Sequence, residues 1–389
     1  MNFDEIIDCR GTNSTKWDKM ERVYGVSPED GLAMWVADMD FHPPQAALDA
    51  VTALNEHGMY TYHMDDDSYL GAICGWMDRR HGWQVNPNWI STTHGVVNGI
   101  GLCLMAFTEP GDKIVLFTPV YHAFARVIKA AGRQVVECPL ALIDGVYHMD
   151  LEACADQLDG TEKMVIFCSP HNPGGRIWTV REQRDLARFC ADRDLLLIAD
   201  EIHHDLIYPG HAHTPMPVAA PEITDRLIMT TAPSKVFNIA GNHTSQVIIP
   251  DQSLRIKFAG ALRAMSISSN IVGVNMTRAC YDHGDDWVDA LMLYLDENRR
   301  VFGDAINAIP GLKFMPMQAT YLSWVDFSGT GMAKAEFIGR VEKRARIAAS
   351  HGDTFGLGGD SYLRFNIGTQ RARINEAIAR LQDAFADLQ

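Results

Sequence analysis

Apolar residues in this chain follow two alternating patterns. Short continuous runs at 113–117, 135–138, 164–168, 195–199, 227–231 and 246–249 are bounded by glycine, proline or polar residues and read as buried strands. Segments of helical spacing separate them, and that alternation predicts βα units around a mostly parallel sheet. A helix is predicted over 45–56, after Pro43-Pro44. Over 285–309, Val288, Leu291, Leu295, Phe302 and Ile306 recur at helical spacing before Pro310-Gly311, so one long amphipathic helix is expected to bridge two domains. Beyond it, 321–327 and 362–367 alternate as strands, and 371–388 reads as a closing helix. The fold class expected is α/β, with a large domain over 45–284, its mostly parallel sheet lying between helices, and a smaller α+β domain over 285–389. Residues 1–44 show no clear period. Their polar and aromatic stretches at 11–18 and 35–41 read as an arm that packs on the rest of the fold and forms part of the small domain.

Composition narrows the partners. With 47% hydrophobic and 21% charged residues the chain reads as an ordinary soluble globular protein. A formal net charge of −15 argues against nucleic acid or an anionic membrane surface as a partner. The first eight residues are acidic and lack the basic and apolar regions of a leader, so a cytoplasmic location is expected. Eight cysteines are scattered without a C-x-x-C pair, which predicts buried thiols rather than a disulfide framework or a cysteine zinc site.

The candidate chemistry sits at predicted strand ends, where open α/β sheets place their ligands. After the run at 227–231 comes Ala232-Pro233-Ser234-Lys235, after 164–168 comes Ser169-Pro170-His171-Asn172, and the run at 195–199 leads into Asp200. Taken alone, Lys235 is a solvated loop lysine. Together, an amine, a carboxylate and an amide match what pyridoxal phosphate requires: the amine condenses with its aldehyde, the carboxylate keeps its ring nitrogen protonated, and the amide bonds its phenolic oxygen. A glycine turn at Gly95, before Val96 and Val97, opens a predicted helix whose free N–H groups suit a phosphate.

With these residues in place, the chain resembles, nearly end to end, the fold-type I pyridoxal phosphate enzymes of the class I/II aminotransferase superfamily. Its motifs Trp35 to Phe41, Asn172-Pro173-Gly174-Gly175-Arg176, Asp200-Glu201-Ile202-His203 and Ser234-Lys235-Val236-Phe237-Asn238 resemble the MalY/PatB branch of cystathionine β-lyases, which are C–S lyases. The resemblance implies that Tyr121 stacks on the cofactor ring and that Arg364 holds the substrate carboxylate. It implies that Ala37 and Asp38 lie on the substrate side, and that Tyr62 reaches the cofactor phosphate of a neighbouring subunit in a homodimer with shared active sites. Typical aminotransferases carry a serine and an arginine where this chain has Ala232 and His243, a hydroxyl at Val97 and a tyrosine at His203. The phosphate grip is therefore expected to rest on backbone N–H groups, Ser234 and Tyr62, with help from Thr230 or Thr231.

The activity implied is α,β-elimination from cystathionine or a related cysteine S-conjugate, a small amino-acid substrate, giving a thiol, pyruvate and ammonia. Lys235 takes the Cα proton. Transamination shares every step up to that proton transfer, so the residues alone leave an aminotransferase open, and a cofactor-binding regulator with little catalysis is a further alternative. His203, His204, His211 and His213 follow Asp200 closely, but they lack the i, i+4 register of a zinc motif and an evident extra carboxylate, so no metal is expected.

Overall fold

The computed structural model describes residues 1–64 and 66–388. Its centre is a seven-stranded sheet in the order Ile90–Thr93, Ser245–Ile248, Leu227–Thr231, Leu196–Asp200, Glu162–Cys168, Lys113–Thr118 and Gln134–Pro139. The pairings from Leu227–Thr231 across to Gln134–Pro139 are parallel, and Ser245–Ile248 runs antiparallel to both its neighbours. The strands are continuous apolar runs because both faces are covered. One face buries Ile114, Ile166, Ile198 and Ile228 against the helix Val96–Phe107 and its neighbours. The other buries Val115, Val165, Leu197 and Leu227 against the helix Val180–Asp192. Alternate residues of each strand thus enter opposite cores.

Register brings the chemistry together. Cys168 lies opposite Asp200, and Asp200 opposite Thr230, so three strands finish level and their following loops share one edge. A second sheet of five strands has the order Leu32–Met34, Ile347–His351, Tyr362–Asn366, Leu322–Asp326 and Lys313–Phe314. Its first strand comes from the arm that showed no period in the sequence. Three residues are too short to display alternation, and their parallel pairing with Ile347, Ala348 and Ala349 supplies the register.

The long helix is Asp285–Asn307, and the five residues whose spacing predicted it are all buried. It stops two residues short of the predicted end. Its Asn298 side chain donates to the carbonyls of Ile367 at 2.9 Å and Thr369 at 2.8 Å, tying the helix to the segment after the Tyr362–Asn366 strand. No helix among the described residues is long and apolar enough to cross a membrane.

Cysteine usage corrects the sequence reading at one place. Cys138, on the edge strand Gln134–Pro139, and Cys154, on the short helix Leu151–Ala155, form a disulfide with Cα atoms 5.2 Å apart. The intervening hairpin of Ala141–Ile143 and Val146–His148 folds the helix back onto the strand, an approach that spacing alone does not reveal. Of the other six, Cys103, Cys168, Cys190 and Cys280 are buried thiols, while Cys9 and Cys74 are half-buried.

Candidate active site

At the shared strand edge lies a cavity of about 240 Å³ lined by Lys235, Asp200, Asn172, His203, Tyr121 and Ser234, by Gly95, Val96 and Val97, and by Ala37 from the arm. Each residue arrives on a distinct element. Asp200 ends the Leu196–Asp200 strand, and its Oδ1 accepts from the Ile202 N–H at 3.2 Å. Lys235 follows the Leu227–Thr231 strand in a turn closed by the Phe237 N–H donating to the Pro233 carbonyl at 3.0 Å. Tyr121 sits at the amino end of the helix His122–Ala130.

Gly95 opens the twelve-residue helix Val96–Phe107 with φ at 96° and no side-chain cap. That backbone is open to glycine and strained for other residues. The helix therefore offers first-turn N–H groups and the positive end of its dipole to the cavity. His94 and His243 also line this region.

The electrostatics suit an amine that is neutral when needed. Burial lowers the Lys235 pKa from its ordinary value and Arg364 adds to this, with Asp38 and Asp200 opposing. Its Nζ donates to the Ala37 carbonyl at 2.7 Å. Burial raises the Asp200 carboxyl to about 7, so it can hold or share a proton near neutrality. His203 is buried and neutral, its pKa held well below the ordinary range first by burial and then by Lys235 and Arg364.

Arg364 is a buried guanidinium with no carboxylate partner in reach among the described residues. It donates to Asn172 Oδ1 at 3.0 Å, to the Trp35 carbonyl at 2.7 Å and to Ser350 Oγ at 3.3 Å, and its Nε has no partner among the described residues. Burial lowers it to about 10, which leaves it charged at neutral pH. A buried, charged fork is costly unless an anion completes it. By engaging Oδ1, Arg364 also leaves the NH₂ of Asn172 available to the cavity.

Pyridoxal phosphate fits this donor set. The amine, the buried carboxylate and the free amide match its aldehyde, ring nitrogen and phenolic oxygen, and the uncapped helix matches its phosphate.

The chain belongs to the class I and II aminotransferase family. The family model, aminotransferase class I and II, matches residues 35–381. Cystathionine beta-lyase PatB of Bacillus subtilis (strain 168) is 37% identical over 389 residues, covering 99% of this chain and 100% of PatB. A solved structure described as a pyridoxal-phosphate-bound putative aminotransferase from Clostridium difficile 630 superposes with TM-score 0.95 at 35% identity, covering 99% of both chains. Cystalysin from Treponema denticola, a structure containing pyridoxal 5'-phosphate, has TM-score 0.95 at 33% identity, covering 100% of this chain and 99% of that one.

Three sequence expectations change in detail, those for Thr230 and Thr231, for Asp38 and for the histidine run, while Tyr62 was expected to serve a neighbouring subunit and its place in its own chain leaves that as it stood. Thr230 and Thr231 are buried inside the sheet, their hydroxyls directed to Ala199 O and to Glu201 O and His204 Nε2, so neither lines the cavity. Tyr62 is fully exposed and absent from the cavity of its own chain. Asp38 lies beside the cavity rather than in its lining: its Oδ1 is 3.8 Å from Lys16 Nζ, and its pKa is raised by burial. His204 leaves the run of histidines to join His81 and Asp205.

Sequence reasoning also missed the residues that hold the arm. Asn238, at φ 55°, donates to Met39 O and Phe41 O and accepts from Met39 N, and Asn366 donates to Val36 O and Asp38 O. Tyr321 OH donates to the same Ala37 carbonyl as Lys235, at 3.0 Å. The only sequence signal was an amide side chain three residues after the lysine.

Proposed function

We propose that this protein is a pyridoxal-phosphate-dependent C–S β-lyase that cleaves cystathionine or a related cysteine S-conjugate to a thiol, pyruvate and ammonia. The observation that carries the reading is the convergence of Lys235, Asp200 and Asn172 on one cavity, with the guanidinium of Arg364 behind it bonded to Asn172 and its Nε without a partner among the described residues. When bound, the cofactor supplies an aldehyde carbon for the substrate amine and an electron-accepting ring. Lys235, its amine made easier to deprotonate by desolvation, takes the Cα proton. Of the residues lining the cavity, Asp200 would hold a proton toward the ring nitrogen, Asn172 would donate to the phenolic oxygen, and Tyr121 would pack on the ring. Gly95, Val96, Val97 and Ser234 would hold the phosphate. Arg364 fixes the substrate carboxylate, and the arm at Ala37 and Asp38 covers the substrate side. His203, neutral and compact, stands where an aromatic side chain is usual.

PatB, named a cystathionine beta-lyase, supports elimination. The Clostridium difficile relative favours the second reading, an aminotransferase. The test of the cofactor assignment is direct: the purified chain should be yellow, and Lys235→Ala should reduce turnover to background, since one residue supplies both the covalent anchor and the base. A colourless protein that turns over substrate contradicts it.

The proposal includes a homodimer in which Tyr62 serves the partner's phosphate. Its support is that Met59, Tyr60, Tyr62 and Met64 are all exposed in one extended stretch, an apolar surface suited to a second copy. Division into an arm at 1–44, a large domain at 45–284 and a small domain at 285–389 is supported by sheet membership.

A further inference from the structure

The turn after Asp200 has two faces. Asp200 and His203 line the cofactor cavity. His204 and Asp205 point the other way, to a separate open cleft of about 560 Å³ that also meets His81 and His213. Glu201, His204 and Asp205 are buried behind the turn, and they form one connected cluster. Glu201 accepts from the Met216 N–H at 2.7 Å and pairs with His213 Nε2 at 2.9 Å. His204 Nδ1 is 3.9 Å from Glu201 Oε2, and its Nε2 is 3.3 Å from Asp205 Oδ2 and 3.2 Å from Thr231 Oγ1. Asp205 Oδ1 accepts from Trp76 Nε1 at 3.0 Å and meets His81 Nε2 at 2.7 Å.

His81, His204 and Asp205 bring their ligand atoms within 4.8 Å of one another. The two imidazoles, however, are stacked, with centroids 4.0 Å apart and planes 29° apart. An ion bonded to both would sit off the plane of each ring, away from the nitrogen lone pairs. The arrangement is a set of close charge contacts rather than a chelate, with His204 between Glu201 and Asp205 and its one side-chain hydrogen bond among the described residues going to Thr231.

We infer that His204 is a positioning residue: bridging Glu201 and Asp205 behind the turn, and touching Thr231 at the end of the neighbouring strand, it fixes the backbone that aims Asp200 and His203 into the cofactor cavity. The inference rests on the pyridoxal phosphate reading of that cavity. Two carboxylates buried on one short turn repel each other and need a cation between them. His204 is placed to be that cation. Burial alone would lower its pKa, but Asp205 and Glu201 more than offset this and bring it to about 9. Burial would raise Glu201, and His213 and His204 instead bring it to about 2. The other groups facing the cluster are His81, whose pKa burial lowers, His213, Tyr281 beside Asp205, and Asp200 and His203 on the far side of the turn. Arg79 and Arg80, at the rim of the cleft, are paired with Asp285 and Asp289.

The sign of the pH dependence follows. A histidine raised from an unfolded value of about 6.5 stabilises the fold fully below that pH and loses the contribution as pH rises through about 9.

The test compares wild type, His204→Gln, Asp205→Asn and the double variant. Each is measured for apoprotein melting temperature against pH, pyridoxal phosphate affinity, and kcat and KM. His204→Gln should lower kcat by up to about 10²-fold through misplacement of Asp200 and His203, weaken the cofactor, and change KM little. Its deficit in melting temperature should be present at pH 6 and vanish above pH 9. The double variant should recover at least part of the lost kcat, because removing Asp205's charge relieves the repulsion that His204 had offset. If His204→Gln does not fold, Thr231→Val serves in its place, with an expected loss of about 2- to 10-fold for one hydrogen bond. Wild-type kcat and cofactor affinity in His204→Gln or, in its place, Thr231→Val, a stability deficit independent of pH, or stoichiometric bound metal in the wild type would each overturn the inference. A wild type that binds no cofactor sinks the functional reading instead, so the two failures are distinguishable.

Discussion

Arg364 and Lys235 owe their properties to the same physical fact, burial without a strong counter-charge. Desolvation makes the lysine easier to deprotonate, while the guanidinium stays charged and its Nε goes unpaired. Replacing Arg364 with lysine keeps a cation but loses the planar fork that grips a carboxylate and positions Asn172. Arg364→Lys is therefore expected to raise KM for the amino acid about 10- to 150-fold, the effect of losing a charged hydrogen bond worth roughly 1.5 to 3 kcal/mol. Steady-state kinetics checks this, and an unchanged KM assigns the substrate carboxylate elsewhere. The convergence of Lys235, Asp200 and Asn172 on one cavity was legible in the sequence because each stands within four residues of the end of an apolar run. Asn238, Asn366 and His81 were not, because their partners lie far away along the chain and an amide or histidine outside a motif carries no local signal.

At the level of elements, strand ends proved readable to within a residue or two because Gly, Pro and polar residues stop continuous apolar runs. Leu227–Thr231 coincides with its prediction, while Glu162–Cys168 begins two residues earlier, where the charged Glu162 and Lys163 precede the apolar run. The amino-terminal strand Leu32–Met34 was invisible, since its register is imposed by Ile347–Ala349 rather than by its own pattern. The helix Val96–Phe107 shows how an element acquires chemistry: its apolar body is buried in the core, and only its uncapped first turn faces the cavity. Gly95 at φ 96° allows that approach, and a Cβ there would meet no atom within 4 Å, so strain rather than a clash is the cost of substitution. Gly95→Ala is expected to weaken pyridoxal phosphate binding about 5- to 150-fold, corresponding to roughly 1 to 3 kcal/mol of backbone strain relieved by moving the first turn. Titration of apoenzyme measures it, and an unchanged affinity removes this turn from the phosphate grip.

On the scale of the whole molecule, the arm joins the two sheets. It contributes a strand to the five-stranded sheet, presents the Ala37 carbonyl to Lys235, and is clamped by Asn238 from the lysine turn and Asn366 from the smaller sheet. The proposed dimer would complete each site with Tyr62 of a second copy. Coexpression of Lys235→Ala and Tyr62→Ala chains tests this, provided each homodimer is severely impaired. With random pairing in a two-fold dimer, about a quarter of sites combine both intact residues and activity returns on mixing. No recovery in verified heterodimers assigns Tyr62 to its own subunit or to no site.

The central claim is elimination at a pyridoxal phosphate site, and product analysis tests it most directly. Purified enzyme is incubated with cystathionine and no keto-acid acceptor, and homocysteine, pyruvate and ammonia are measured over time. Equal amounts of all three over many turnovers are predicted. A single stoichiometric half-reaction that leaves the amine on the cofactor and proceeds only when a keto acid is added would contradict the lyase assignment and make the protein an aminotransferase.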